Sequence, residues 1–137
     1  MAIEKAAYVQ LAQFRAALRS FLRFSEERAR AAGLTPQQHQ MLLAIKGQPE
    51  RDWATPGEIA LFLQVNHNAA VGLITRAETA GLVQRAPHPA DGRKVAVSLT
   101  DRGEALLAEL STDHRAELER MAPTLLGLVA LMDDGER

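Results

Sequence analysis

The sequence predicts a mainly α-helical domain with one small β-hairpin set between helices and a long helix at each chain end. Three observations predict it. Apolar residues recur at helical spacing through most of the 137 residues. Capping signals cut the middle of the chain into short helices. Residues 82–99 alone change to strand character, around a tip rich in Pro and Gly.

Taken in order, Glu4 to Ala32 contains neither Gly nor Pro and repeats Leu11, Phe14, Leu18, Phe21 and Leu22. That is one long amphipathic helix, closed by Gly33. So long a helix at a chain end cannot bury itself in a small domain, which predicts packing against a partner chain. Thr35-Pro36-Gln37-Gln38 is a capping box with proline at the first helical position, and its helix runs through Met41, Leu42, Leu43 and Ile45 to Gly47. Gln48 to Asp52 reads as a loop before Trp53. Thr55-Pro56-Gly57-Glu58 repeats the capping box and opens a short helix with Ile59, Phe62 and Leu63.

Gln64-Val65 then turns into the stretch that carries most information, Val65 to Val83. Ala70, Leu73, Ile74 and Ala77 form one apolar face. The open face bears Asn68, Val71, Gly72, Thr75 and Thr79, small or hydrogen-bonding and without an acid. A helix that enters the DNA major groove needs such a surface, slim and polar enough to read base edges. Gly81 stands where a helix takes a left-handed closing residue. Leu82–Arg85 and Val95–Leu99 read as strands joined by Pro87-His88-Pro89-Ala90-Asp91-Gly92. Two short helices at a tight turn, followed by such a hairpin, make a winged helix-turn-helix. Thr100 caps a second long helix carrying Leu106, Leu107, Leu110, His114, Leu118 and Met121 near heptad spacing. Pro123 is expected to break it, Thr124–Met132 to form a last helix, and Asp133–Arg137 to fray.

The bulk numbers set limits. Hydrophobic residues make up 47% and aromatics only 4%, so the core is expected to be aliphatic. A net charge of −1 argues against a nonspecific polycation but leaves room for a local basic surface. From Asn66 to Thr100 the bases are Arg76, Arg85, Arg93 and Lys94 against only Glu78 and Asp91. There is no cysteine, which excludes disulfides and thiolate metal sites. No signal-peptide core is apparent at the N-terminus, and the most apolar run, Met121–Met132, is short and holds Pro123. These features predict a soluble, cytoplasmic protein without a membrane partner.

Asp91-Gly92-Arg93-Lys94-Val95-Ala96-Val97-Ser98-Leu99-Thr100-Asp101-Arg102-Gly103 matches the pattern DxRxxxVxLTxxG at every fixed position. With Gly81-Leu82-Val83 and with Leu34-Thr35, Gln38 and Leu42, it resembles the MarR family of bacterial transcriptional regulators, over nearly the whole chain. The resemblance implies a single domain over 1–137, with a DNA-binding lobe at 34–102 and dimerisation helices at 1–33 and 103–137. It also implies a homodimer that represses from a near-palindromic operator, its half-sites about 10 bp apart or a multiple of that. By position Arg93 is the wing arginine of the minor groove, and Asp91 is expected to pair with Arg76. Asn66, Asn68, Val71 and Arg76 take phosphate or base contacts, and His67, Thr75 and Lys94 complete the candidate DNA surface. Two departures are Val71-Gly72, where Thr and a longer polar residue are common, and Asn66-His67-Asn68 in place of a Ser-Pro-Ser type start.

Each candidate has a plainer reading. Arg93 suits a solvated hairpin, Asp91 a turn, and the Asn residues a helix cap, although a capped N-terminus is also a phosphate site. His39, His67, His88 and His114 fall on different elements without paired-ligand spacing, so no metal or cofactor is expected. No nucleophile triad, phosphate loop or carboxylate pair suggests an enzyme. The family's usual switch is a small aromatic or amphipathic acid bound where dimer helices and DNA lobe meet. Arg15, suited to a carboxylate, and His39 are the candidate contacts, against the plainer readings of surface charge and packed helix residue. The rival function is a winged-helix protein-interaction module without DNA recognition, favoured by Gly72 and the acidic pI.

Overall fold

The computed structural model describes residues 2–135. Its elements are α1 (Lys5–Ala31), α2 (Pro36–Lys46), β1 (Trp53–Ala54), α3 (Pro56–Leu63), α4 (His67–Thr79), β2 (Val83–Pro87), β3 (Val95–Leu99) and α5 (Asp101–Gly135). Contacts divide the chain into two compact units, Ala29–Leu110 and Met1–Arg28 with Ser111–Arg137.

In Ala29–Leu110 local chemistry places the helix ends. Thr35 and Thr55 both form complete capping boxes, with Gln38 and Glu58 reaching back to the cap backbone. Gly33 and Gly81 take positive φ, 84° and 76°, where a side chain would be strained. Gln64 is left-handed at φ 57° and makes the tight α3–α4 turn. The core is aliphatic, as the composition predicts. Met41, Leu42 and Ile45 of α2 pack with Ile59 of α3, Ile74 and Ala77 of α4, Leu82, Val83, Val97 and Leu99, and the start of α5 at Leu107 and Leu110. Full burial of such side chains is worth about 1.5–3 kcal/mol each, enough to fix α4 against the rest.

The sheet is antiparallel in the order β1-β3-β2, with Val83 opposite Leu99 and Pro87 opposite Val95. β1 is an addition to the expected hairpin: Trp53 pairs with Ser98 and Ala54 with Val97. Two residues are too few to show alternation, so the strand is set by its partner. Thr100 does cap α5, accepting the Gly103 N–H at 3.1 Å, and its hydroxyl donates to the Gly81 carbonyl at 2.6 Å. A Cβ on Gly103 would run into the Leu82 carbonyl, which accounts for glycine at that position of the motif.

In the second unit, Arg28 Nε donates to Asp113 at 3.1 Å and His114 Nε2 lies 2.7 Å from Ser25 Oγ. The expected break at Pro123 does not occur, since α5 is continuous through it. Met121 and Leu128 are buried on either side of the proline, and Leu128 lines a cavity with Ala16 and Ala17 of α1. That packing holds the helix together across the one backbone bond that proline removes. The fraying expected from Asp133 is absent up to Gly135, and Glu136 and Arg137 lie outside the described residues. No described helix is long and apolar enough to cross a membrane.

Candidate nucleic-acid interface

The interface begins at the N-terminus of α4. Asn66 caps it in extended conformation, its Oδ1 accepting the Ala69 N–H at 2.8 Å. Ala70, Ile74 and Ala77 are buried, which turns Asn68, Thr75 and Thr79 of the expected open face to solvent, with Arg76 exposed as well. His67 is exposed and Val71 and Gly72 are half-buried. The Arg76 guanidinium lies back along α4, so that a Cβ on Gly72 would sit 3.5 Å from its Nη1.

The wing is tied to α4 by a residue that the sequence reading did not single out. Arg85 of β2 donates from Nη1 to Glu78 at 2.8 Å and from Nη2 to Thr75 Oγ1 at 3.0 Å. Thr75 in turn donates to the Val71 carbonyl at 3.0 Å. The expected Asp91–Arg76 pair is absent. Asp91 instead accepts from Arg93, from its backbone N–H at 3.1 Å and its Nε at 3.2 Å. A contact two residues along a tight tip needs less ordering than one across two elements, which favours the local partner. The Arg93 guanidinium, then its N–H and the charge of Lys94, hold the Asp91 carboxyl below its usual value.

These elements enclose a cleft of about 520 Å³ lined by Thr55, Pro56 and Gly57 of the α3 N-terminus, His67 and Val71 of α4, and Arg85, Arg93, Lys94 and Val95 of the wing. Three cations thus face the first turn of a helix, whose positive dipole end favours an anion, although Pro56 has no N–H and the Glu58 N–H is taken by Thr55. Of the expected residues, the structure brings His67, Val71, Arg93 and Lys94 to this cleft. Asn66, Asn68, Thr75 and Arg76 are exposed on α4, and Asp91 orients Arg93. The missed members are Thr55, Pro56, Gly57 and Arg85. The capping box that opens α3, just before α4, was a readable signal for the first three. Glu58, which closes that box, is held below its ordinary carboxyl value chiefly by hydrogen bonds from Arg51, then by those from Thr55.

Comparison with known proteins gives the surface a context. The MarR family pattern matches residues 32–94, from the end of α1 to the wing. Over those residues the chain is similar to the MarR family. Two curated relatives, an uncharacterised HTH-type transcriptional regulator of Mycobacterium bovis and an HTH-type transcriptional regulator of Mycobacterium tuberculosis, are each 34% identical over 92 residues. Each match covers 58% of this chain and 64% of the relative, so the chain spans less than two thirds of either. Among solved structures, the MarR family regulator AbsC from Streptomyces coelicolor shares the fold at a TM-score of 0.74 and 20% identity, over 99% of this chain and 91% of that one. A MepR mutant from S. aureus bound to an oligodeoxyribonucleotide shares it at 0.68 and 18% identity, over 95% and 99%. The MarR winged helix is therefore the fold of this chain, with long terminal helices included. The two curated relatives and AbsC are named as transcriptional regulators.

Neither remaining candidate is among the residues that line the cleft. Arg15 is exposed on α1 and is not among the residues lining the cavity there, and His39 is buried in α2. Among the described residues no three His, Asp or Glu side chains are placed to hold a metal ion.

Proposed function

We propose that this MarR-family chain binds double-stranded DNA sequence-specifically as a homodimer and regulates transcription, as a repressor at a near-palindromic operator. The observation that carries the reading is the continuous surface of α4's open face, the α3 N-terminus and the cationic wing. α4 has 13 residues, about 20 Å of helix, and its small open face suits a groove about 12 Å wide. Asn68, Val71 and Thr75 face the bases, with the Val71 methyls suited to a thymine methyl. A phosphate sits at the α3 N-terminus between Arg85 and Lys94. Arg93 enters the minor groove from the wing tip. A MepR mutant of the same fold, bound to an oligodeoxyribonucleotide, supports DNA as the partner.

Dimerisation fits the terminal helices, where Leu11, Phe14, Leu126 and Val129 are each more than half exposed. The proposed switch is a small aromatic or amphipathic acid acting in the cytoplasm, with Arg15 and His39 as candidate contacts. Such an effector releases DNA only if it binds one dimer shape better than the other, so that half-site spacing no longer fits.

The test is fluorescence anisotropy on a duplex selected by the protein from a random pool, across a salt series, with unselected duplex as control. Specific binding that weakens steeply with salt is expected, because phosphate contacts release counterions. Failure to select any duplex overturns the reading and leaves the fold as a protein-interaction module.

A further inference from the structure

The wing tip is built around a histidine that does not line the DNA cleft. His88 lies between Pro87 and Pro89, which restrict the backbone on both sides. Its N–H donates to the Lys94 carbonyl at 3.0 Å and closes the tip. Its ring Nδ1 accepts two backbone N–H groups, from Ala90 at 3.0 Å and Asp91 at 3.2 Å. The ring meets the edge of Trp53 with centroids 4.8 Å apart, and the Arg51 guanidinium lies 4.3 Å from the Trp53 ring centroid. Arg51 is fixed by Glu58 of the α3 capping box. The tip is thereby anchored to β1 and α3. The next link is Asp91, whose N–H is held by His88 and whose carboxylate holds Arg93. Arg93 has no other anchor in view: its side chain is 92% exposed.

We propose that His88 is the positioning residue of the wing, and that its neutral ring holds the tip in the form in which Asp91 presents Arg93 to DNA. The proposal rests on the DNA-binding reading and assigns a control to it. An imidazole that accepts at Nδ1 carries its proton on Nε2. A second proton goes to Nδ1 and turns the acceptor into a donor aimed at two donors, so both bonds are lost. The charged groups around the ring are Asp91, Arg93 and Lys94 on the wing, with Arg51 and its partner Glu58 beyond Trp53. Of these, Asp91 attracts the protonated ring and gives up part of its hold on Arg93. Both effects loosen the wing in acid. The direction is diagnostic, because a histidine that only adds positive charge near DNA strengthens binding as it protonates.

The experiment compares wild type with His88→Asn and His88→Ala on a duplex selected by the wild type, from about pH 8 downward at fixed ionic strength, through the range in which histidines change charge. Asparagine places Oδ1 close to where Nδ1 stands and takes up no proton. His67 is present in all three proteins, so the readout is the difference between them. At the alkaline end His88→Asn is expected to bind like wild type and His88→Ala up to about fivefold more weakly, no more than loss of the Arg93 contact itself would cost. In acid, wild type is expected to weaken relative to His88→Asn by a similar factor. In the free protein, nitrogen NMR of the imidazole is expected to show Nε2 protonated, with the Ala90 and Asp91 amides losing exchange protection as the ring gains charge. Wild type that tightens or stays level with His88→Asn in acid overturns the proposal, as does a neutral ring protonated on Nδ1. If no duplex is selected at all, the DNA reading falls and the positioning role with it, and the NMR result then describes a structural lock alone.

Discussion

The two units of this chain handle apolar surface in opposite ways. All of the largest fully buried side chains, from Met41 and Leu42 to Val97 and Leu110, belong to Ala29–Leu110. In the terminal-helix unit Tyr8, Leu11, Phe14, Leu126 and Val129 are each more than half exposed. The first unit has its exceptions in Leu61 and Phe62 of α3, but its core closes on itself. One unit is complete as a single chain, and the other presents a face that water does not favour. This teaches which properties belong to the fold of one chain and which depend on the proposed second copy.

The sharpest test is one substitution made in both units. Leu42→Ala, at a fully buried site, is expected to destabilise by about 2–5 kcal/mol in urea unfolding. Leu126→Ala, 68% exposed, is expected to stay within about 0.5 kcal/mol for the isolated chain. Equal losses would mean that the exposed face is not free in the monomer, and the contrast between the units would fail. Next in size is association. Leu11→Glu with Leu126→Glu is expected to weaken self-association at least tenfold, about 1.4 kcal/mol, in sedimentation equilibrium, while helix content holds. A variant that remains dimeric would move the interface elsewhere.

How much of this was legible depends on how far each residue's partner lies along the chain. Thr35 with Gln38, Thr55 with Glu58, and the positive-φ Gly33 and Gly81 were readable because a cap needs only three or four neighbours. The same holds for the exposed face of α4, which follows from the burial of Ala70, Ile74 and Ala77. Partners between elements were not readable. Arg85 reaches Glu78 across the helix–strand junction, and β1 exists only as an edge on β3; at Asp91 the expected partner on another element, Arg76, gives way to the local Arg93. Pro123 misled for the same reason: helix propensity says stop, and packing of Met121 and Leu128 on both sides says continue. Tertiary contacts decide where local preference is weak or costs only one hydrogen bond.

A smaller effect separates stability from recognition within the first unit. Arg93→Ala removes a side chain that is 92% exposed, so its unfolding midpoint is expected to match wild type. DNA affinity is expected to fall by about 1 kcal/mol, and the salt slope by about one unit. Undiminished affinity would take Arg93 out of the interface, and a lowered midpoint would make the wing part of the core instead of an appendage to it.

The smallest expected effect tests whether that unit's closed core extends to its caps. Glu58→Gln keeps the shape that accepts the Thr55 N–H at 3.0 Å but removes the charge that Arg51 grips. The folded Glu58 carboxyl is held below its ordinary 4.5, first by Arg51 and then by Thr55, against the cost of burial. A depressed folded value stabilises the fold above the unfolded value and loses that contribution as pH falls through the folded one. Wild type is therefore expected to exceed Glu58→Gln at neutral pH, by less than about 1 kcal/mol because the pair is partly screened by solvent. The gap is expected to close in acid, below the ordinary carboxyl range. A gap that persists unchanged there would assign the cap to shape alone. The ion pair would then be surface ornament, and Arg51 would matter only as the cation stacked on Trp53.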